Sequence, residues 1–206
     1  MSSSDEKANG SGLPPSQSRK LGTRQPNEQE SKICSGLKDL YTCNPSEQSY
    51  SVYAEDALFH DPVGYATGLR SIRAQFNALS GLFPRADIDK FDVLENPSSS
   101  DMTAPTAGGD HESKGQSMML VDQVISYHRA KDSKEPFKTL NSLLTIKYES
   151  QSGLIKTHTE EWDHKAQAGH GGEKNSFMEE MSIARKKVTA QATEAMADQT
   201  PPANRG

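Results

Sequence analysis

The chain has 206 residues, a formal net charge of −5, 33 % hydrophobic residues and 6 % aromatic ones, with a mean hydropathy of −0.78. That length suits one domain with tails or two small domains, and the low hydropathy predicts that part of the chain stays outside any core. No charged block is long enough for a nucleic-acid-binding tail, and the one basic run, Arg185 to Lys187, is short. Nothing approaches the ~18 consecutive apolar residues of a membrane span. The first residues, MSSSDEKANGSG, carry no apolar signal region, so the expected compartment is the cytoplasm, with the nucleus as an alternative.

Residues 1–30 are Ser, Gly, Pro, Gln and charge without periodicity, and read as a disordered leader. Ile33, Leu37, Leu40 and Tyr41 then form the apolar stripe of a short helix, ended at Asn44-Pro45. Cys34 and Cys43, about 13 Å apart if one helix carries both, are expected to be reduced thiols. Ser46 can cap a second short helix. Ala57-Leu58-Phe59 reads as a strand stopped at Asp61-Pro62. Thr67 is the expected cap of a helix whose stripe is Leu69, Ile72, Phe76 and Leu79, closed by Gly81 and Pro84. Ile88 to Glu95 alternates as a strand.

Residues 96–116 form a stretch of roughly 20 residues with no apolar pattern, either a domain boundary or a disordered insertion at a hairpin tip, and the insertion is preferred. Three long runs follow: Met118–Arg129, Phe137–Glu149 and Leu154–Asp163. They read as an antiparallel meander with one buried face. In the second run Leu140, Ser142, Leu144, Ile146 and Tyr148 share one face. Thr139, Asn141, Leu143 and Thr145 share the other, which is expected to be half exposed and suited to a second copy of the chain. A helix is expected over 173–198 after a Gly-rich hinge, with Ser176 and Glu179 spaced as a capping box and Phe177, Met181, Ala184, Val188 and Ala195 as its stripe. Residues 199–206 read as a tail.

The runs YAEDALFHDPVGYATGLRSI (Tyr53 to Ile72) and GLIKTHTEEWD (Gly153 to Asp163) resemble the opening and closing segments of the SnoaL-like and nuclear transport factor 2-like superfamily, over roughly residues 31–165. The resemblance implies an α+β fold, a curved antiparallel sheet covered by N-terminal helices as a cone with a pocket, plus the C-terminal helix. It also implies a candidate function: cofactor-independent proton transfer, of the cyclase or isomerase type, on a hydrophobic carbonyl compound. The alternatives are a non-catalytic binder of a hydrophobic ligand and a dimeric interaction module, because such folds host all three. The oxyanion-binding tyrosine and protonated acid of the ketosteroid isomerases have no match in this chain.

The residues themselves nominate the chemistry. His158, Glu160 and Trp162 share one face of the last strand, and Thr157, Thr159, Glu161 and Asp163 the other. Burial of the only tryptophan favours the first set facing the pocket. Asp61 is either the acceptor of a turn or a pocket acid. A carboxyl in an apolar pocket has a raised pKa and can exchange protons near neutrality. Asp61, His158 and Glu160 are therefore the catalytic candidates, and His60, Tyr65, Trp162 and Tyr127 the ligand-binding ones. His158, Glu160 and His164 fit no standard metal spacing, so no metal is expected. There is no GxGxxG, Walker, GxSxG or CxxC motif, and no cofactor is expected.

Overall fold

The structure is a computed structural model and describes residues 6–97, 115–166 and 176–197, with side chains of the last segment described over 177–187. Most of the expected insertion, the Gly-rich hinge, the Ser176 cap, the outer part of the helix stripe and the 199–206 tail lie outside those residues.

A six-stranded sheet carries the fold. Its strands are β1 (Tyr53–Asp61), β2 (Gly64–Thr67), β3 (Arg85–Leu94), β4 (Gln116–His128), β5 (Lys138–Glu149) and β6 (Ile155–Trp162), in the order β2-β1-β6-β5-β4-β3. The helices are α1 (Pro15–Ser18), α2 (Glu28–Tyr41), α3 (Glu47–Tyr50), α4 (Leu69–Leu82) and α5 (Ser176–Ala197). The α+β class and the helix-covered sheet follow the expectation. The β4-β5-β6 meander is antiparallel as expected, and the sheet as a whole is mixed: β1 runs parallel to β6, with Phe59 opposite His158. The last strand of the meander is thus inserted beside the first strand of the chain.

One face of the sheet packs against α2 and α4. Ile33, Leu37, Leu40, Ile72 and Phe76 meet Ala57, Phe59, Val121, Ile125, Leu144 and Ile146 in one core. Asn27 caps α2, its side chain accepting the Glu30 N–H while Glu30 answers at the Asn27 N–H. α4 starts one residue later than Thr67 suggested. Gly68 is the N-cap, at φ 80°, a left-handed conformation that glycine adopts without strain. The hairpin strand β2 was not expected, because four residues after a proline leave too short a run to show alternation.

The opposite face is covered by the chain's own N-terminus. Residues 6–27, expected to belong to a disordered leader, form a strap across β4, β5 and β6. The Gly10 N–H donates to Glu161 Oε2 at 2.7 Å, and Asn9 Nδ2 donates to the His164 carbonyl at 2.8 Å. Ser18 Oγ lies 3.0 Å from His164 Nδ1. Leu21 packs on Leu94, Leu120 and Leu143. Backbone bonds from Arg24 N–H to the Val93 carbonyl and from Glu95 N–H to the Gly22 carbonyl extend the sheet at β3. A segment without apolar periodicity is held here by hydrogen bonds to a partly polar sheet face, a bonding mode that composition does not display. On the β5 face expected to be half exposed, Leu143 and Thr145 are buried beneath the strap, Asn141 is half-buried and Thr139 is exposed.

Cys34 and Cys43 are free thiols. Burial pushes them up to about 11 and about 12. Among the described residues no helix is long and apolar enough to cross a membrane.

Candidate functional site

A cavity lies between the α4 face of the sheet and α5. Its lining includes Tyr41 from α2, Gln75 and Phe76 from α4, Asp61 from β1, Tyr127 from β4, Glu160 and Trp162 from β6, and Phe177, Met181 and Arg185 from α5.

Strand alternation delivers Asp61. Phe59 and Asp61 point inward from β1, while Leu58 is exposed and His60 stacks on the outward Tyr65 with ring centroids 3.7 Å apart. Asp61 Oδ1 accepts the N–H groups of Val63 and Gly64, both at 2.9 Å. The turn reading and the pocket reading of Asp61 therefore hold together. Its second role is an ion pair with Arg185, whose two terminal nitrogens donate to Oδ1 at 3.0 Å and Oδ2 at 2.5 Å. Burial opposes the charge on Arg185, but Asp61 outweighs it and raises the guanidinium pKa further.

Glu160 sits at the end of a buried polar chain. Tyr41 Oη donates to Glu160 Oε2 at 2.8 Å, and Trp162 Nε1 donates to Oε1 at 3.1 Å. His158 Nε2 lies 3.3 Å from Tyr41 Oη, and His158 Nδ1 lies 2.7 Å from Tyr53 Oη. One proton arrangement satisfies all four groups: Tyr53 donates to Nδ1, Nε2–H donates to Tyr41, and Tyr41 donates to Glu160, a tautomer assigned from the network. Burial lowers His158 to about 3, so the ring is neutral. Burial, and next the charge of Asp61, raise Glu160 to about 7 against the donors Tyr41, Ser142 and Trp162. Burial also holds Tyr41, Tyr53 and Tyr127 well above the usual phenol range, so they remain protonated donors.

The structure thus brings Asp61, Glu160, Tyr127 and Trp162 to one cavity. It does not bring His60 or Tyr65 there: both belong to the outward side of the β1–β2 hairpin, where Tyr65 is 60 % exposed. His158 is fully buried behind Tyr41 and Tyr53 and is outside the cavity lining, so it acts on Glu160 only through Tyr41. Arg185 and the hydroxyl of Tyr41 were missed. A signal for Arg185 existed: Phe177, Met181 and Arg185 stand at i, i+4 and i+8, an arginine on the stripe where an apolar residue is due.

The cavity volume is about 20 Å³, room for about one water. The expected pocket for a hydrophobic compound is therefore filled by α5. Phe177 packs against Phe83, Tyr127 and Trp162, with ring centroids 5.7 to 6.1 Å apart. Among the described residues no group of three His, Cys, Asp or Glu is placed to hold a metal ion.

No family model and no curated protein matches the chain. Solved structures are similar to it in fold. A steroid delta-isomerase from Pseudomonas aeruginosa is 10 % identical over 82 % of this chain and 96 % of its own, with a TM-score of 0.47. A candidate SnoaL-like polyketide cyclase from Shewanella putrefaciens is 12 % identical over 68 % and 82 %, at 0.47. An NTF2-like protein of unknown function from Cytophaga hutchinsonii is 11 % identical over 68 % and 93 %, at 0.42. At such distances the likeness carries nothing about activity.

Proposed function

We propose that the protein binds a small carbonyl compound between the sheet and α5, in the place of the α5 side chains that fill the cavity, and that Glu160 exchanges a proton at the carbon beside that carbonyl. The observation that supports this most is the Glu160 carboxyl itself. It is buried at the cavity wall, held by Tyr41 and Trp162, and raised to about 7. A base poised near neutral pH serves proton transfer in both directions. The proton leaves carbon for Glu160 and returns from it, and the enolate oxygen formed in between needs a donor. Tyr127, protonated and in the lining, is the group available, since the Tyr41 hydroxyl already donates to Glu160.

Exchange of solvent deuterium into carbonyl compounds, followed by mass spectrometry with the full chain, tests the reading. The expected result is incorporation that rises with one ionisation near pH 7 and falls roughly 10²–10⁴-fold in Glu160→Gln. A rate unchanged by Glu160→Gln, or no exchange with any compound, overturns it.

A further inference from the structure

The side chains that α5 places in the cavity describe a ligand. Met181 and Phe177 supply an apolar body, and Arg185 supplies a planar cation directed at Asp61. With about 20 Å³ of space left, against about 300–1,000 Å³ in sites for drug-sized molecules, an organic ligand enters only by taking the place of these side chains. What it would meet is two carboxyl groups, Asp61 and Glu160, with aromatic walls from Tyr41, Phe59, Phe76, Tyr127 and Trp162. Gln75 adds a buried side-chain oxygen that has no hydrogen-bond donor among the described residues.

Two acids in a cavity of low polarity require a compensating positive charge, and Arg185 provides it in the closed form. A neutral ligand that displaced α5 would remove that charge and leave Asp61 buried without a counterion. A cationic ligand would restore it, gain from the aromatic faces, and bring N–H donors for Asp61 and Gln75. We propose that the site takes a compound with an apolar body and an amine, amidine or guanidine group, and that α5 occupies the site as a built-in competitor with Arg185 in place of the ligand's cation. This rests on the reading of the cavity as a binding site and narrows its substrate to carbonyl compounds that carry a positive charge.

The only tryptophan, Trp162, lines the cavity and reports on it. Benzamidine and its neutral isostere benzamide are titrated into the full chain carrying Met181→Ala and Arg185→Ala, followed by Trp162 emission. The expected result is binding of benzamidine at least tenfold tighter than benzamide, and loss of that preference when Asp61→Asn is added. Equal binding of the two probes overturns the charge requirement and leaves the binding cavity standing. No response to either probe in the folded variant overturns both. If the double variant does not fold, the unaltered chain is compared by hydrogen exchange. Benzamidine, and not benzamide, is expected to raise exchange in residues 176–187, and an equal or absent effect overturns the proposal.

Discussion

The N-terminal strap and helix α5 cover opposite faces of one sheet, and they are held differently. The strap is tied by short directional bonds to β6 and the turn after it: Asn9 to His164, Gly10 to Glu161, Ser18 to His164. It adds two backbone bonds beside β3 and one small apolar contact through Leu21. α5 meets the other face through Phe177, Met181 and two ion pairs, the buried Arg185 with Asp61 and the more exposed Glu180 with Arg129. Many bonds of fixed direction resist loss of any one of them. A cover that depends on aromatic packing and one buried ion pair can be exchanged for another molecule with the same two features. The contrast teaches that the strap completes the fold, whereas the helix fills a cavity.

The largest expected effect breaks the ion pair. Removing one member of a buried pair costs about 3–5 kcal/mol because the other is left uncompensated. Arg185→Ala should approach that in urea unfolding, and Asp61→Asn/Arg185→Ala together should cost less than either single change. If both single variants unfold within about 0.5 kcal/mol of the parent chain, the range of ordinary surface changes, α5 is not docked through this pair.

The next effect is on pH. Glu160 is raised from 4.5 to about 7 in the folded chain. The folded state then holds the proton more strongly, so this contribution is complete below pH ~4.5 and is lost as pH climbs through 7, a change of about 3 kcal/mol at most. His158, lowered from 6.5 to about 3, acts the other way: its contribution is present above pH 6.5 and is lost as pH falls toward 3. The two slopes oppose each other between pH ~4.5 and 6.5. Glu160→Gln should uncover stability that rises with pH across that interval, and an unchanged stability-versus-pH curve would show that Glu160 has an ordinary acidity.

Smaller still, Ser18→Ala leaves the strap's other bonds in place and should cost about 1–2 kcal/mol, since it strips Asn9 Nδ2 and His164 Nδ1 of a buried partner. Smallest is Tyr65→Ser, on the exposed side of the hairpin. It should change stability by less than about 0.5 kcal/mol and leave Trp162 emission unaltered. A shift there would show that the outward stack communicates with the cavity.

How far the sequence carries this picture differs by element. The alternation in β5 sorts Leu144 from Thr145 correctly, because a sheet with one apolar core enforces a period of two. The inward set of β6, His158 with Glu160, follows from the preference of Trp162 for burial. The strap was illegible because its contacts are hydrogen bonds to residues up to 155 positions away, which leave no apolar periodicity behind. Tyr41 read as one more core residue of α2, since a stripe shows where a side chain points and not what its hydroxyl meets. Whether the cavity is open or filled could not be read at all, because that depends on how closely α5 docks.

The parallel pairing of β1 with β6 has a consequence in time. Asp61 meets an arginine 124 positions later, and Tyr41 meets a glutamate 119 positions later. Contacts of such separation form slowly, because long loops must close before the contact stabilises anything. During synthesis from the N-terminus, β1 and the β1–β2 hairpin would wait as an unfinished edge until β6 emerges and is inserted beside them. The carboxyl groups of the cavity would come together only then, and the counterion of Asp61 would arrive later still, with α5. The candidate site should therefore be completed only after the sheet is assembled. A nascent chain halted before Arg185 would present the two acids without their cation, the form most ready to take up a positively charged molecule from its surroundings.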